Sequence, residues 1–329
     1  MSHTFSRRAL LGASLAAVGG TVLAGCSTPA PTGTASGAAQ APTKLTLSLI
    51  PILDVAPAYV AQAKGYFKEF GLEVETVLAQ GGAAIVPAVV GGSAHIGFSN
   101  IPSLIIGSTK NLPLQVVAPA VSSTGVDLED ANTVVAKDPS IRSAKDLAGK
   151  RVSTNALRSI GDSVVMAAVK ADGGDPNSIT WVELPFPNVE QAVESGQVDA
   201  GWLSEPFVTA AVEHGQRVVS TPLTEFTDHT MHVSNYFSSR QYAAANPQAV
   251  KAFHDAMVES LAFCRENPDE VRKILPQFMK ITPEMAAKVT LPAWPEAVDR
   301  TSFEEYERIG REFGFIEGQV DLDTLLGKA

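Results

Sequence analysis

Two cysteines (Cys26 and Cys264) and six histidines are the soft and nucleophilic groups of this 329-residue chain. Two thiols cannot make a four-cysteine zinc site or a disulfide framework. No Gly-x-Ser-x-Gly nucleophile elbow occurs. His229 and His232 stand three apart in a stretch that reads as extended chain, where an odd spacing turns side chains to opposite sides. The residues therefore point to binding, with no catalytic residue, metal or cofactor expected.

The groups suited to binding a small molecule sit where apolar runs give way to helical ones. Asp54 follows the first strand-like run, and Gly81 and Gly82 follow the second. Glycines at a helix start let backbone N–H groups approach an acceptor, though Gly81-Gly82 also suits an ordinary strand-to-helix turn. Ser99 and Asn100 offer donors and acceptors after the third run, and Asn100 equally suits a helix cap. Ser122 ends another apolar run. Further on, Ser159, Gly161 and Asp162 lead into a helix. Arg158 is either a partner for a carboxylate or sulfonate or a surface residue paired with Asp162 four positions on. Glu205 either accepts from a ligand N–H or hydroxyl, or caps its own helix.

These positions need a scaffold of alternating strands and helices, and the chain reads that way. Strand signals lie at 44–50, 72–79, 95–99, 114–118, 133–136, 151–154, 180–184, 198–203 and 217–220, separated by helical segments that include 57–71, 83–90, 163–171, 189–195 and 206–214. Ser143 and Asp146 have the spacing of a capping box. From Pro247 the chain turns helical. Two short β-α series predict an α/β fold of two lobes with mostly parallel sheets and a hinge. The expected boundaries are 44–137 plus 229–329 for one lobe and 138–228 for the other.

Lys plus Arg total 25 against 35 Asp plus Glu, a net charge of −10. Nucleic acid is thereby an unexpected partner. Residues 138–228 hold seven Lys plus Arg and thirteen Asp plus Glu (7 − 13 = −6). An anionic solute would need local donors there, such as Arg158, Gly82 and Ser99; a neutral or partly cationic heterocycle would suit Asp54 and Glu205.

The N-terminus reads as an export label. Arg7 and Arg8 precede an apolar, Gly- and Ala-rich run that ends at Leu23-Ala24-Gly25-Cys26. Ser6 to Leu11 resembles a twin-arginine signal, and Leu23 to Cys26 a lipobox whose cysteine becomes acylated. Residues 1–25 are the expected signal peptide. Cys26 is the expected lipidation site, and the uncharged Pro-, Gly-, Ser- and Thr-rich stretch 26–43 is a flexible tether. Two or more acyl chains suffice for stable anchoring. The expected location is the outer face of the cell membrane.

Several stretches resemble one family of bacterial solute-binding lipoproteins: the nitrate, sulfonate and taurine type, which also includes binders of pyrimidine precursors and riboflavin. They are APAYVAQAKGYFKEFG from Ala56, DLAGKRV from Asp146, VELPFPNVEQAVESGQVDAGWLSEPF from Val182 and FSSRQYAAANPQAVKAF from Phe237. The resemblance implies a two-lobed, periplasmic-binding-protein-like (type II) fold. Such a protein closes on a small solute and delivers it to the permease and ATPase of an ABC importer, here as a lipid-anchored monomer. The solute would be a sulfonate, a carboxylate, a nitrate-like oxyanion, or a pyrimidine- or flavin-type heterocycle. Two other readings stay open: a solute-sensing surface lipoprotein, and a pyrimidine-precursor synthase-like enzyme, whose cysteine and histidine iron ligands this chain lacks.

Overall fold

The computed structural model describes residues 41–79 and 81–327. The signal peptide, Cys26, most of the tether and Gln80 lie outside them. Ten strands form two five-stranded sheets. The first sheet contains β1 (Thr43–Leu49), β2 (Leu72–Leu78), β3 (Ile96–Asn100), β4 (Leu114–Ser122) and a late strand from the C-terminal part of the chain. The second contains β5 (Asn132–Ala136), β6 (Arg151–Thr154), β7 (Thr180–Glu183), β8 (Ala200–Ser204) and β9 (Arg217–Ser220). The late strand, β10 (His232–Ser239), returns to the first sheet.

The two sheets have the same plan. Their orders are β2-β1-β3-β10-β4 and β7-β6-β8-β5-β9. In each, four strands point one way, and the fourth strand in the order runs against both neighbours. Those two reversed strands are β5 and β10, the first strands laid down after the chain crosses from one sheet to the other. The chain leaves β4 at its carboxyl end and enters the second sheet from that sheet's own carboxyl edge, so the entering strand must run backwards. The same holds for β9 to β10. The expected parallel character is therefore present in strand direction, while half of the neighbour pairs are antiparallel. One expected boundary moves: the expected bounds put β5 in the first lobe, but it pairs with β8 and β9 in the second sheet.

Local chemistry explains the elements. The long helix expected over 57–71 is two pieces, Ala56–Lys64 and Tyr66–Glu69, because Gly65 takes a left-handed φ of 88° between them. Glycine tolerates that conformation at little cost. The inner strands are buried on both faces; all five residues of β5 and of β8 are buried. That is why these strands read as continuous apolar runs rather than alternating ones. Pairs such as Phe98–Tyr236 and Tyr236–Phe253 fill the core of the first sheet edge-on.

The helical C-terminal part straps the two halves together. The helix Arg300–Glu312 packs on Ile101–Thr109 of the first half and on Ile160–Ala171 of the second. Lys170 pairs with Glu312, and Lys288 with Glu213. Ala293 bridges back to Ser122 at the end of β4.

Candidate functional site

The carboxyl ends of β3 and β8 carry side-chain contacts between the halves. Asn100 caps the helix Ile101–Thr109, its side chain accepting from Ser103 N at 2.9 Å. Its Nδ2 donates to Ser159 Oγ across the gap at 3.2 Å, and Ser103 Oγ lies 3.2 Å from the same oxygen. Of the two expected roles of Asn100 the helix cap is present, and its amide nitrogen also touches the other half.

Asp54 makes the second contact. It lies in a short 3-10 turn, Leu53–Val55, and is buried. Ser204 Oγ, at the end of β8, donates to its Oδ1 at 3.0 Å. Burial pushes the Asp54 carboxyl up to about 7; the Ser204 hydroxyl opposes the shift and the nearby Asp130 charge adds to it. Asp130 itself is raised, chiefly by burial. It accepts from Thr124 N and Asn132 N on the segment crossing from β4 to β5. A second crossing, from β9 to β10, runs beside the first: Ser123 N donates to Met231 O at 2.8 Å and Met231 N to Ser123 Oγ at 3.0 Å. The two crossings run side by side at this point, where a few backbone dihedrals can absorb a rotation.

The other expected residues fall into place by contact. Glu205 is buried, and both of its carboxylate oxygens accept within the protein. Thr209 N and Thr209 Oγ1 donate to its two oxygens at 3.0 and 2.8 Å, and Thr290 N donates at 3.0 Å. Burial raises its carboxyl pKa, against those three donors. This is the capping alternative, extended to the C-terminal strap. Asp162 is likewise a capping carboxylate, accepting from the backbone N–H of Arg158, Ser159 and Ser163. Burial lifts it to about 6.

Arg158 is exposed, and its Nη2 donates to the carbonyls of Gly314 and Phe315 at 2.7 and 3.2 Å. Its guanidinium also lies 5.5 Å from the centre of the Phe315 ring. It therefore clasps the C-terminal segment, and the Asp162 pairing runs through its backbone rather than its charge. Ser122 is buried and exchanges backbone hydrogen bonds with Ala293. Gly81 is the N-cap of the helix Gly82–Val90 and has extended backbone.

Gly161 is held by packing. A Cβ there would stand 2.4 Å from Thr154 Oγ1 and 2.6 Å from Trp202 Cδ1. Gly161→Ala should lower stability by about 1–3 kcal/mol through overpacking, read from urea unfolding. An unchanged midpoint would show that Trp202 can move aside.

Ser99 is fully buried and its hydroxyl has no hydrogen-bond partner. Directly opposite it on β10 is Asn235, also fully buried, with neither its amide nitrogen nor its oxygen bonded. Sequence reasoning passed over Asn235, although an asparagine inside an apolar strand is itself a signal, because strands disfavour it. It also passed over Ser103, Asp130 and Ser204, whose roles depend on neighbours distant in sequence. A separate groove of about 630 Å³, lined by Lys44, Tyr59, Gln62, Glu73, Thr76 and Phe278, lies at the β2 edge, away from these contacts.

Residues 53–271 match the family described as NMT1/THI5 like. The chain belongs to that family. Among curated relatives, it is 28% identical over 215 residues to the taurine-binding periplasmic protein of Escherichia coli (strain K12), covering 65% of this chain and 64% of that protein. It is also 28% identical over 279 residues to the nitrate/nitrite binding protein NrtA of Synechococcus elongatus, covering 76% of this chain and 62% of that one. Each match thus spans less than two thirds of the relative. Among solved structures, the ligand-binding component of an ABC-type import system from Staphylococcus aureus superposes with a TM-score of 0.75. That alignment covers 86% of this chain and 96% of the other at 10% identity. It is a likeness of fold. The two-lobed periplasmic-binding-protein architecture expected from the sequence is the one this NMT1/THI5-like chain has.

Proposed function

We propose that this chain is the solute-binding subunit of an ABC importer, which takes up a small molecule between its halves and presents it to a membrane permease. One observation carries the reading. Two sheets of identical plan meet through side chains at their strand ends, Asn100 with Ser159 and Asp54 with Ser204. In open α/β sheets the carboxyl edge is where ligands bind. The paired crossings at Ser123 and Met231 supply the hinge, so closure on a solute is the mechanism. The chain performs no reaction of its own in this reading.

Export and anchoring follow from the sequence: a twin-arginine signal over 1–25, a lipidated Cys26 and a tether to residue 43 would hold a monomer at the outer face of the cell membrane. Globomycin, which blocks lipoprotein signal cleavage, should make the precursor accumulate, and Cys26→Ser should release the chain from membranes. Retention of that variant in the membrane fraction would count against the anchor.

Solute binding is tested by melting the chain with members of each expected class: sulfonates, carboxylates, nitrate, pyrimidines and flavins. A ligand at a hundred times its Kd should add about 2.7 kcal/mol to stability and raise Tm. Scattering from the same samples should show a smaller radius for the bound form. A Tm and a radius indifferent to every compound would defeat the reading.

A further inference from the structure

We infer that Asn235, with Ser99 beside it, reads the solute, and that this pair selects an uncharged molecule bearing an amide-like edge, one donor beside one acceptor, over an oxyanion. The inference deepens the solute-binding reading and rests on it.

The placement comes first. Asn235 and Ser99 are register partners on antiparallel strands, so their side chains share one face of the sheet. One step further along, Asn100 is the residue that reaches Ser159 in the other half. The pair therefore sits just beneath the contact between the halves. The face is identified by Gly97, two residues before Ser99. A Cβ at Gly97 would strike Ile85, Val89 and Phe237, so this face is the one covered by the helix Gly82–Val90. That helix joins strands of the same direction and must run against them, so it begins over the strands' carboxyl ends. Its N-terminus and the Ser99–Asn235 pair occupy the same end of the sheet.

The chemistry comes second. A buried amide left without partners is costly, and native proteins keep such groups where something else satisfies them. Asn235 has both atoms unpaired and Ser99 its hydroxyl. Nδ2 gives donors and Oδ1 an acceptor, which matches a carbonyl next to an N–H, as in a carboxamide or a lactam. An oxyanion could use only the donor side. A buried anion also needs a cationic partner or several convergent N–H donors, and among the described residues the helix start at Gly82 is the one donor group at this end that could offer them. In the strand-to-helix stretches 50–55, 79–82, 100–103, 155–159, 184–186 and 205–206, Arg158 is the sole Lys or Arg. Its guanidinium is engaged by Gly314 and Phe315. The buried ionisable side chains near the junction, Asp54, Asp130 and Glu205, are acids.

Calorimetric titration of the full chain with uracil, nicotinamide, nitrate and ethanesulfonate tests this. At least one of the two uncharged probes should give saturable heat, and neither anion should. Asn235→Leu and Ser99→Ala should each weaken the bound probe by about tenfold or more. Their ligand-free melting temperatures should stay level or rise, because each removes an unpaired buried polar group. Saturation by either anion, or silence from both uncharged probes, would overturn the selectivity and leave the solute-binding reading standing; that reading falls only if the wider melting screen is silent as well. A lower ligand-free melting temperature for both variants, or unchanged affinity in both, would show that the pair is structural.

Discussion

Glu205→Ala should destabilise the fold by about 2–4 kcal/mol, as expected when a buried, multiply bonded carboxylate is removed. Three donors lose their acceptor at once: Thr209 N, Thr209 Oγ1 and Thr290 N. Two of these lie in the helix start that follows β8, and the third lies on the C-terminal strap. The loss therefore falls on the joint between the second sheet and the strap. The backbone bonds of Glu205, to Ala131 O and from Leu53 N, remain. The effect should thus be local before it is global. Hydrogen exchange should show Thr290 and its neighbours opening faster, together with a melting temperature lower by several degrees. From the sequence, Glu205 could equally have been a ligand group whose loss spares folding. A normal melting curve with weakened solute binding would restore that role.

The second large effect is a pH dependence centred on Asp54. Its carboxyl is raised from an ordinary value near 3.8 to about 7, mainly by burial. Because the folded state holds this proton more tightly than the unfolded chain does, stability is fully present below about pH 4. It is lost as pH rises through 7, and above that the loss is complete. A shift of this size is worth on the order of 4 kcal/mol. Asp162, raised to about 6, acts in the same direction over a narrower window. Asp54→Asn keeps an acceptor for Ser204 Oγ without a charge. It should approach the wild type at pH 4 and exceed it by a few kcal/mol at pH 8 in urea unfolding. Curves for the two proteins that stay parallel from pH 5 to 8 would exclude a role for Asp54.

Much of this architecture is legible in the sequence. Strands β2, β6 and β9 fall within a residue of their expected bounds, because short β-branched stretches closed off by glycine and polar turns leave a local signal whether the strand is inner or at an edge. The capping box at Ser143 and Asp146 is present, although the element it starts is a single 3-10 turn, Ala144–Leu147. The helix over 57–71 was misjudged at Gly65, where one left-handed residue interrupts an otherwise continuous apolar pattern. The strand direction of β5 and β10 was not readable either. Nothing in an apolar run says which way it lies against its neighbours, and that direction follows from the edge at which the chain crosses.

The candidate site divides along the same line. Residue types and their positions at strand ends marked out Asp54, Ser99, Asn100, Ser159 and Glu205, since turn and cap chemistry is local and leaves a local trace. What each one touches is set by residues far away in the chain, as with Asp54 and Ser204 or Arg158 and Gly314. Spacing along one chain cannot encode such meetings. The sequence determined which segments fold and where polar groups must emerge; only packing two sheets against a common strap decided which of those groups are bonded and which are left unpaired.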